Sequence, residues 1–258
     1  MRRLRAASKL LAFILLTLPL MPVQQALLRF FPGAACAFPH HYHRLLCHLF
    51  GIRLKISGSP PPPGPKLIVS NHVSWLDIVI LSAVMPVSFV AKKEVSRWPF
   101  FGTLARLQRS IFVDRGQRHR AGQSAGTIAA RLAAGEAIVL FGEGTSHDGT
   151  SVLPFKTSLF AAATVPDIAI VPVSLGYVRA WGLPLGRRKR PAYAWYGDMN
   201  LVPHLWNFLS EGPLSVAVIF HEALSEETGR DRKASAKAAE TAVRRGLLAA
   251  LHGPMDLR

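Results

Sequence analysis

The sequence predicts an α/β fold: a mixed, largely parallel sheet flanked by helices, with an N-terminal membrane-anchoring helical segment. Three observations carry this expectation. From Lys66 onward, short β-branched apolar runs alternate with helical stretches, and the runs are apolar throughout, as strands covered on both faces are. Ser59-Pro60-Pro61-Pro62-Pro63-Gly64-Pro65 fits neither a helix nor a central strand and reads as a stiff linker. Ahead of it, the apolar run Leu10 to Val23 follows Arg2, Arg3, Arg5 and Lys9. The expected organisation is an anchor region over 1–58, a Pro-rich linker over 59–65 and a main domain over 66–258.

Composition narrows the partners. The chain has 258 residues, enough for one substantial core. Thirty-one Lys+Arg against fifteen Asp+Glu give a net charge of +16, which favours a polyanion: nucleic acid or an anionic membrane. An apolar fraction of 50% and a mean hydropathy of +0.24 point to membrane lipids. No nucleic-acid-binding motif is found, and no nucleic-acid partner is expected. Cys36 and Cys47 do not make a disulfide framework, so a reducing compartment is consistent. Cys36, His40, His41, His43, Cys47 and His48 match no zinc spacing, so no metal is expected there.

Taken in order, the Leu10–Val23 run is interrupted by Pro19 and Pro22 and falls short of the roughly 20 apolar residues of a spanning helix. It resembles a signal peptide at its start, but no small-x-small cleavage site follows. A half-inserted or interfacial anchor with its basic end at anionic headgroups is preferred, with a full span towards Phe31 as the alternative. The leading basic residues predict a cytoplasmic N-terminus at the inner membrane, with the main domain on the cytoplasmic face. A short helix over 41–50 and a strand over 53–57 close the anchor region. Strands are expected at 66–70, 87–91, 110–113, 137–141, 169–175, 192–197 and 215–221. Helices are expected at 75–84, 95–107, 118–134, 156–164 and 231–251. Gly135 suits the C′ position of the helix before strand 137–141. Pro172 inside its strand suggests an edge or a bulge.

The chemistry centres on Asn71-His72-Val73-Ser74-Trp75-Leu76-Asp77, at the junction of a strand and a helix. Ser74-x-x-Asp77 before an apolar run is a capping box, with Ser74 accepting from backbone N–H groups. Five residues of α-helix turn through roughly 500°, so His72 and Asp77 do not share a helical face. They meet only if His72 lies in the preceding turn and Asp77 in the first helical turn, where capping would place them. Further along, Phe112-Val113-Asp114-Arg115 ends a strand in an arginine. Phe141-Gly142-Glu143-Gly144-Thr145-Ser146 ends another in a carboxylate between glycines.

Together these stretches resemble the glycerophospholipid acyltransferases typified by lysophosphatidic acid acyltransferase. Asn71-His72-x4-Asp77 matches the first motif of that family, the HX4D motif. Phe112 and Arg115 match the second, whose leading glycine is here Arg109. Phe141, Glu143, Gly144 and Thr145 match the third, and Val171-Pro172 the fourth. Two departures stand out. In the third motif Gly142 replaces a proline, and Ser146 replaces an arginine that in the family holds the acceptor's phosphate. Ser146-His147-Asp148-Gly149, Val152-Leu153-Pro154-Phe155-Lys156 and Ala194-Trp195-Tyr196-Gly197-Asp198-Met199 look like the branch that acylates lyso-ornithine lipid.

The resemblance implies an acyltransferase domain over 66–258. It implies a membrane-associated enzyme that moves a fatty acyl group from an acyl thioester to the free hydroxyl of a lysolipid. The first acceptor implied is 1-acyl-sn-glycerol 3-phosphate, giving phosphatidic acid; the alternative is lyso-ornithine lipid. The implied donor, coenzyme A or acyl carrier protein, is a co-substrate, and no cofactor is implied. His72 is the expected general base and Asp77 its orienting partner, since a lipid hydroxyl needs its proton removed as it attacks. Asn71, Arg115, Glu143, Gly144 and Thr145 are the expected substrate-binding residues, with Arg115 for an anionic group and Glu143 for a hydroxyl or an amine. Backbone N–H groups of Asn71–Ser74 or of the Gly142–Thr145 loop are the expected oxyanion donors. Two other classes are weighed against this. A non-catalytic lipid-binding protein of the same fold would be indifferent to loss of His72 and Asp77, and a thioesterase would release free fatty acid without a lysolipid.

Overall fold

The computed structural model describes residues 1–58, 61, 64–114, 118–164 and 168–252, with backbone alone over 118–124 and 162–164. Two long helices, α1 (Arg2–Phe30) and α2 (Pro32–Phe50), open the chain. Strand β1 (Ile52–Ser57) follows, then β2 (Lys66–Ser70), α3 (Leu76–Val84) and β3 (Ser88–Lys92). Next come α4 (Phe101–Leu107), β4 (Ile111–Val113), α5 (Arg118–Ala133) and β5 (Ala137–Phe141). The second half holds β6 (Ala169–Ala180), β7 (Leu183–Pro184), α6 (Leu201–Ser210), β8 (Leu214–Phe220), α7 (Glu226–Arg230) and α8 (Arg232–His252).

The sheet runs β1-β8-β6-β2-β5-β3-β4, with β7 folded back on β6. Pairing is parallel except for β6–β8 and β6–β7, so the mixed, largely parallel sheet is realised. Every residue of β2 is buried, as its uninterrupted apolar run requires. The parallel order brings the C-terminal ends of β2, β5 and β4 to one edge, where ligands of open α/β sheets bind.

Several expectations are corrected. Segment 192–197 is not a strand: Tyr193 and Ala194 N–H bond back to Arg190 O, and Trp195 N–H donates to Val73 O at 3.0 Å. Its aromatic alternation therefore packs a turn onto the first motif and does not extend the sheet. The helix expected at 95–107 is a 3-10 turn over Lys93–Arg97 and then α4, and the one at 156–164 is a 3-10 helix over Thr157–Thr164. Pro172 lies in the sheet interior, with β2 on one side and β8 on the other. Its carbonyl accepts from His221 N–H just past the end of β8, so the missing donor falls at the last rung of that ladder. The bulge lies further on, between Tyr177 and Arg179.

The Pro-rich segment is mostly outside the described residues, but its flanks belong to one sheet. β1, expected in the anchor region, pairs along its whole length with β8. Helices α1 and α2 also join the core. α1 is long and apolar enough to cross a membrane, yet it lies along the domain. Ala6, Phe13, Thr17 and Gln24 are buried. Thr17 Oγ1 meets Tyr42 Oη at 2.7 Å, and Gln24 Nε2 donates to Ala35 O and Leu107 O. The helix thus turns polar groups inward and leaves Leu4, Leu11, Leu15 and Leu18 exposed. The basic end expected at headgroups also faces the protein in part: Lys9 Nζ caps α2 at Phe50 O (2.8 Å), and Arg2 pairs with Glu211.

Arg109 explains one departure from the family pattern. Its φ is +63°, a left-handed conformation that glycine adopts freely and arginine does not. Its guanidinium bonds to Glu136, which Arg131 also holds, so the ion-pair network offsets the backbone cost.

Candidate active site

The site forms where β2 runs out. Asn71 is buried and bonds both ways to the Leu175 backbone, accepting from its N–H at 2.8 Å and donating to its O at 2.9 Å. This pins the start of the loop to β6. Both ends of the Asn71 amide, expected at the substrate, are thus occupied by the Leu175 backbone. The next residue, His72, is directed outward with 18% of its side chain exposed.

Asp77 is fully buried in the first turn of α3. Its Oδ2 accepts from His72 Nδ1 at 2.8 Å, Val73 N–H at 2.6 Å and Ser74 N–H at 3.0 Å. Its Oδ1 accepts from Tyr177 Oη at 2.8 Å. Both Asp77 oxygens thus act as acceptors. The imidazole proton therefore sits on Nδ1, and Nε2 is left with its lone pair. The expected capping box is realised only in its acidic half, because α3 has no side-chain cap from Ser74. The aspartate does the reaching back, and this draws the HX4D loop tight enough for histidine and carboxylate to meet.

Two supporting contacts were not read from the sequence, that of Tyr177 with Asp77 and that of Phe141, already placed in the third motif, with His72. Tyr177 lies two residues beyond the end assigned to its strand, and its burial together with Asp77 pushes its hydroxyl well above the ordinary range. Phe141 stacks under the His72 ring, with centroids 3.9 Å apart and planes at 15°. The aromatic residue that opens the third motif thus sets the orientation of the His72 ring in the first.

Beyond Phe141, the β5 end turns back over the site. Gly142 N–H donates to Ser70 O and Gly144 N–H to Phe141 O. A Cβ on Gly142 would lie 2.6 Å from the Phe155 ring. A proline here would meet that ring and lose the bond to Ser70, so Gly142 and the Val152–Lys156 segment depart from the family pattern together. His147 N–H donates to His72 O at 2.9 Å, while Arg190 Nη1 bonds to Asp148 O and Gly149 O. Thr145 is exposed and Gly144 buried. Arg115 lies outside the described residues.

Glu143 is 2% exposed. Its Oε1 accepts from Leu153 N–H at 3.3 Å, and its Oε2 has no hydrogen-bond partner among the described residues. Burial pushes its carboxyl up to about 8; the nearby Asp77 charge adds to this, and the N–H groups of Leu153 and His72 oppose it. With the native pKa raised, the stability this group contributes is present below the ordinary glutamate range and is lost as pH rises through about 8. Glu143→Gln is expected to flatten that decline. Denaturation midpoints of both chains over about pH 5 to 9 would check it; parallel curves would contradict it.

The oxyanion donors expected are largely spent. Val73 and Ser74 N–H serve Asp77, and Gly142 and Gly144 N–H close turns. The Thr145 N–H carries no such bond among the described residues.

Comparison with known proteins agrees with this geometry. Residues 53–176 match the sequence model of the Acyltransferase family. The chain is 45% identical over 249 residues to the lyso-ornithine lipid O-acyltransferase of Brucella abortus, covering 94% of this chain and 93% of that one. It is 42% identical to the enzyme of the same name from Rhizobium meliloti, over 93% of this chain and 85% of that one. With the 1-acyl-sn-glycerol-3-phosphate acyltransferase of Neisseria gonorrhoeae it shares 33% identity over 72% of each. The crystal structure of the 1-acyl-sn-glycerophosphate acyltransferase of Thermotoga maritima superposes with a TM-score of 0.70 at 19% identity, over 96% of this chain and 97% of that one, which establishes the shared fold. With an HX4D dyad on the edge of this sheet and these relatives across most of its length, the chain belongs to the lysolipid acyltransferase family.

Proposed function

We propose that the protein acylates the free hydroxyl of lyso-ornithine lipid, using an acyl thioester of coenzyme A or acyl carrier protein as donor. The observation that supports the reaction is the His72 Nδ1–Asp77 Oδ2 bond of 2.8 Å, which leaves Nε2 as a base at the mouth of the site. In this reading the lipid hydroxyl gives its proton to His72 Nε2 as its oxygen attacks the thioester carbonyl. Asp77 stabilises the imidazolium. The tetrahedral intermediate collapses, the C–S bond breaks, and the thiol leaves with the proton returned by His72. The Thr145 N–H is the proposed oxyanion donor.

Ser146 where an arginine would hold phosphate, the coupled Gly142 and Phe155, and the Brucella and Rhizobium relatives all favour the ornithine acceptor. Glu143 is proposed to meet the ornithine amine, whose positive charge would return the buried carboxyl group to its ionised form. The second reading, acylation of 1-acyl-sn-glycerol 3-phosphate, is favoured by the Neisseria relative. Membranes containing the protein, offered both lysolipids with each donor, decide between them. Acylation of the glycerol phosphate substrate alone would overturn the first reading.

An apolar cavity of about 180 Å³ lies between α1, α2, α3 and α4, lined by Phe13, Tyr42, Trp75, Ile78, Phe101 and Ala105 among others. Trp75 joins it to the HX4D loop. We assign it to an acyl chain, because its lining is almost wholly apolar and α1, which forms one wall, turns its other side outward. Ala105→Phe is expected to shift the preferred acyl chain to a shorter one, with long-chain turnover falling about tenfold for the methylenes excluded. Competition between acyl donors of different length would check it; an unchanged product distribution would contradict it.

A further inference from the structure

We propose that the β6–β7 hairpin, the outer side of α6 and the basic turn after them form a second membrane-docking surface, whose partner is an anionic lipid bilayer. The inference rests on the reading of α1 as the membrane anchor and adds a contact made by the catalytic domain itself.

The hairpin tip is Trp181-Gly182-Leu183. Trp181 is 48% exposed and Leu183 68% exposed. Trp181 holds a φ of +57°, a left-handed conformation that costs a bulky residue energy and that the neighbouring packing must sustain. The packing is specific: the Arg5 guanidinium lies 4.8 Å from the indole centroid, and a Cβ on Gly212 would fall within the ring. Trp181 therefore joins the first turn of α1 to the sheet. Arg5 also reaches Ser210 O at the end of α6, and α6 packs on α1. On α6, Val202 and Trp206 stand one turn apart, and both are exposed. The hairpin and α6 thus both abut α1. Tryptophan and leucine beside cations are the residues of a membrane interface.

The charges follow directly. Arg187, Arg188 and Lys189 sit in the 3-10 turn Arg187–Ala192 and are exposed. Arg190 in the same turn is buried and bonds to Asp148 O and Gly149 O, next to His147 and hence to the His72 backbone. Three cations face outward and the fourth ties their turn to the active-site loop. A bilayer that binds the three fixes the height of His72 above the headgroups, where the lysolipid hydroxyl is presented.

The test uses the full chain and vesicles of phosphatidylcholine with and without phosphatidylglycerol. Arg187, Arg188 and Lys189 replaced together by Gln are expected to weaken binding to the anionic vesicles by about 100-fold, and to flatten its salt dependence. Leu183→Asp with Val202→Asp is expected to weaken binding to both vesicle types. All these residues are exposed, so melting should not change, and turnover of lysolipid in detergent micelles should stay at the unaltered rate. Leu11→Asp with Leu15→Asp on α1 is the control. If the α1 variant loses vesicle binding while the other two bind normally, the second surface is overturned and the anchor reading stands. If the α1 variant also binds normally, the anchor reading fails, and the second surface stands only if its own two variants lose binding.

Discussion

Replacing His72 by alanine is expected to lower kcat by about a thousandfold or more, the usual worth of a positioned general base. The loss should appear equally in kcat/KM, because the proton is shared with Nε2 only as the hydroxyl attacks. Stability should hardly change. The ring is partly exposed, Asp77 keeps its three other donors, and the stacking lost against Phe141 is worth about 1 kcal/mol. The measurement is steady-state acylation of a lysolipid beside a thermal melt. Near-normal turnover in a chain that melts normally would remove His72 from the chemistry.

Asp77 separates charge from structure. Asp77→Asn keeps an oxygen towards His72, Val73 and Ser74, and places its amide against Tyr177 Oη, which can accept as well as donate. The fold should hold while kcat falls about 10³- to 10⁴-fold, as the imidazolium loses its counter-charge and the tautomer its guide. Asp77→Ala should in addition destabilise the protein by about 3 kcal/mol or more, because two backbone N–H groups and a tyrosine hydroxyl would be buried without acceptors. Melting and turnover of the two variants together distinguish these effects. If both lost activity only in proportion to stability, Asp77 would be a structural residue.

Much of this was legible in the chain. The strands around β2 announce themselves because burial on both faces demands uninterrupted apolar runs. The dyad was legible because its spacing places an acid in the first turn of a helix. The losses are equally physical. Helix α6 escaped notice because Pro203 lies inside it, although in the first turn its missing N–H costs nothing. Tyr177 reaches Asp77 only because β6 runs five residues past the end expected for it, and no local pattern connects two residues that far apart. The bonds of Asn71 to Leu175 are hidden in the same way, because no local pattern joins the residue after β2 to one inside β6. The direction of α1 is hidden for a similar reason: its few polar residues find partners on α2 and α4 and turn inward.

The pairing of β1 with β8 bears on how the protein is made. Ile52 pairs with Leu214, so this edge of the sheet closes only after β8 has left the ribosome. Until then β1 carries unsatisfied backbone groups, and α1 still lacks α6, against which it packs. The apolar α1 is thus left without α6 until residues 201–210 are made, and early capture by a bilayer would shield it. Delivery to the membrane would then precede folding, and the enzyme would assemble in contact with the surface it later works on.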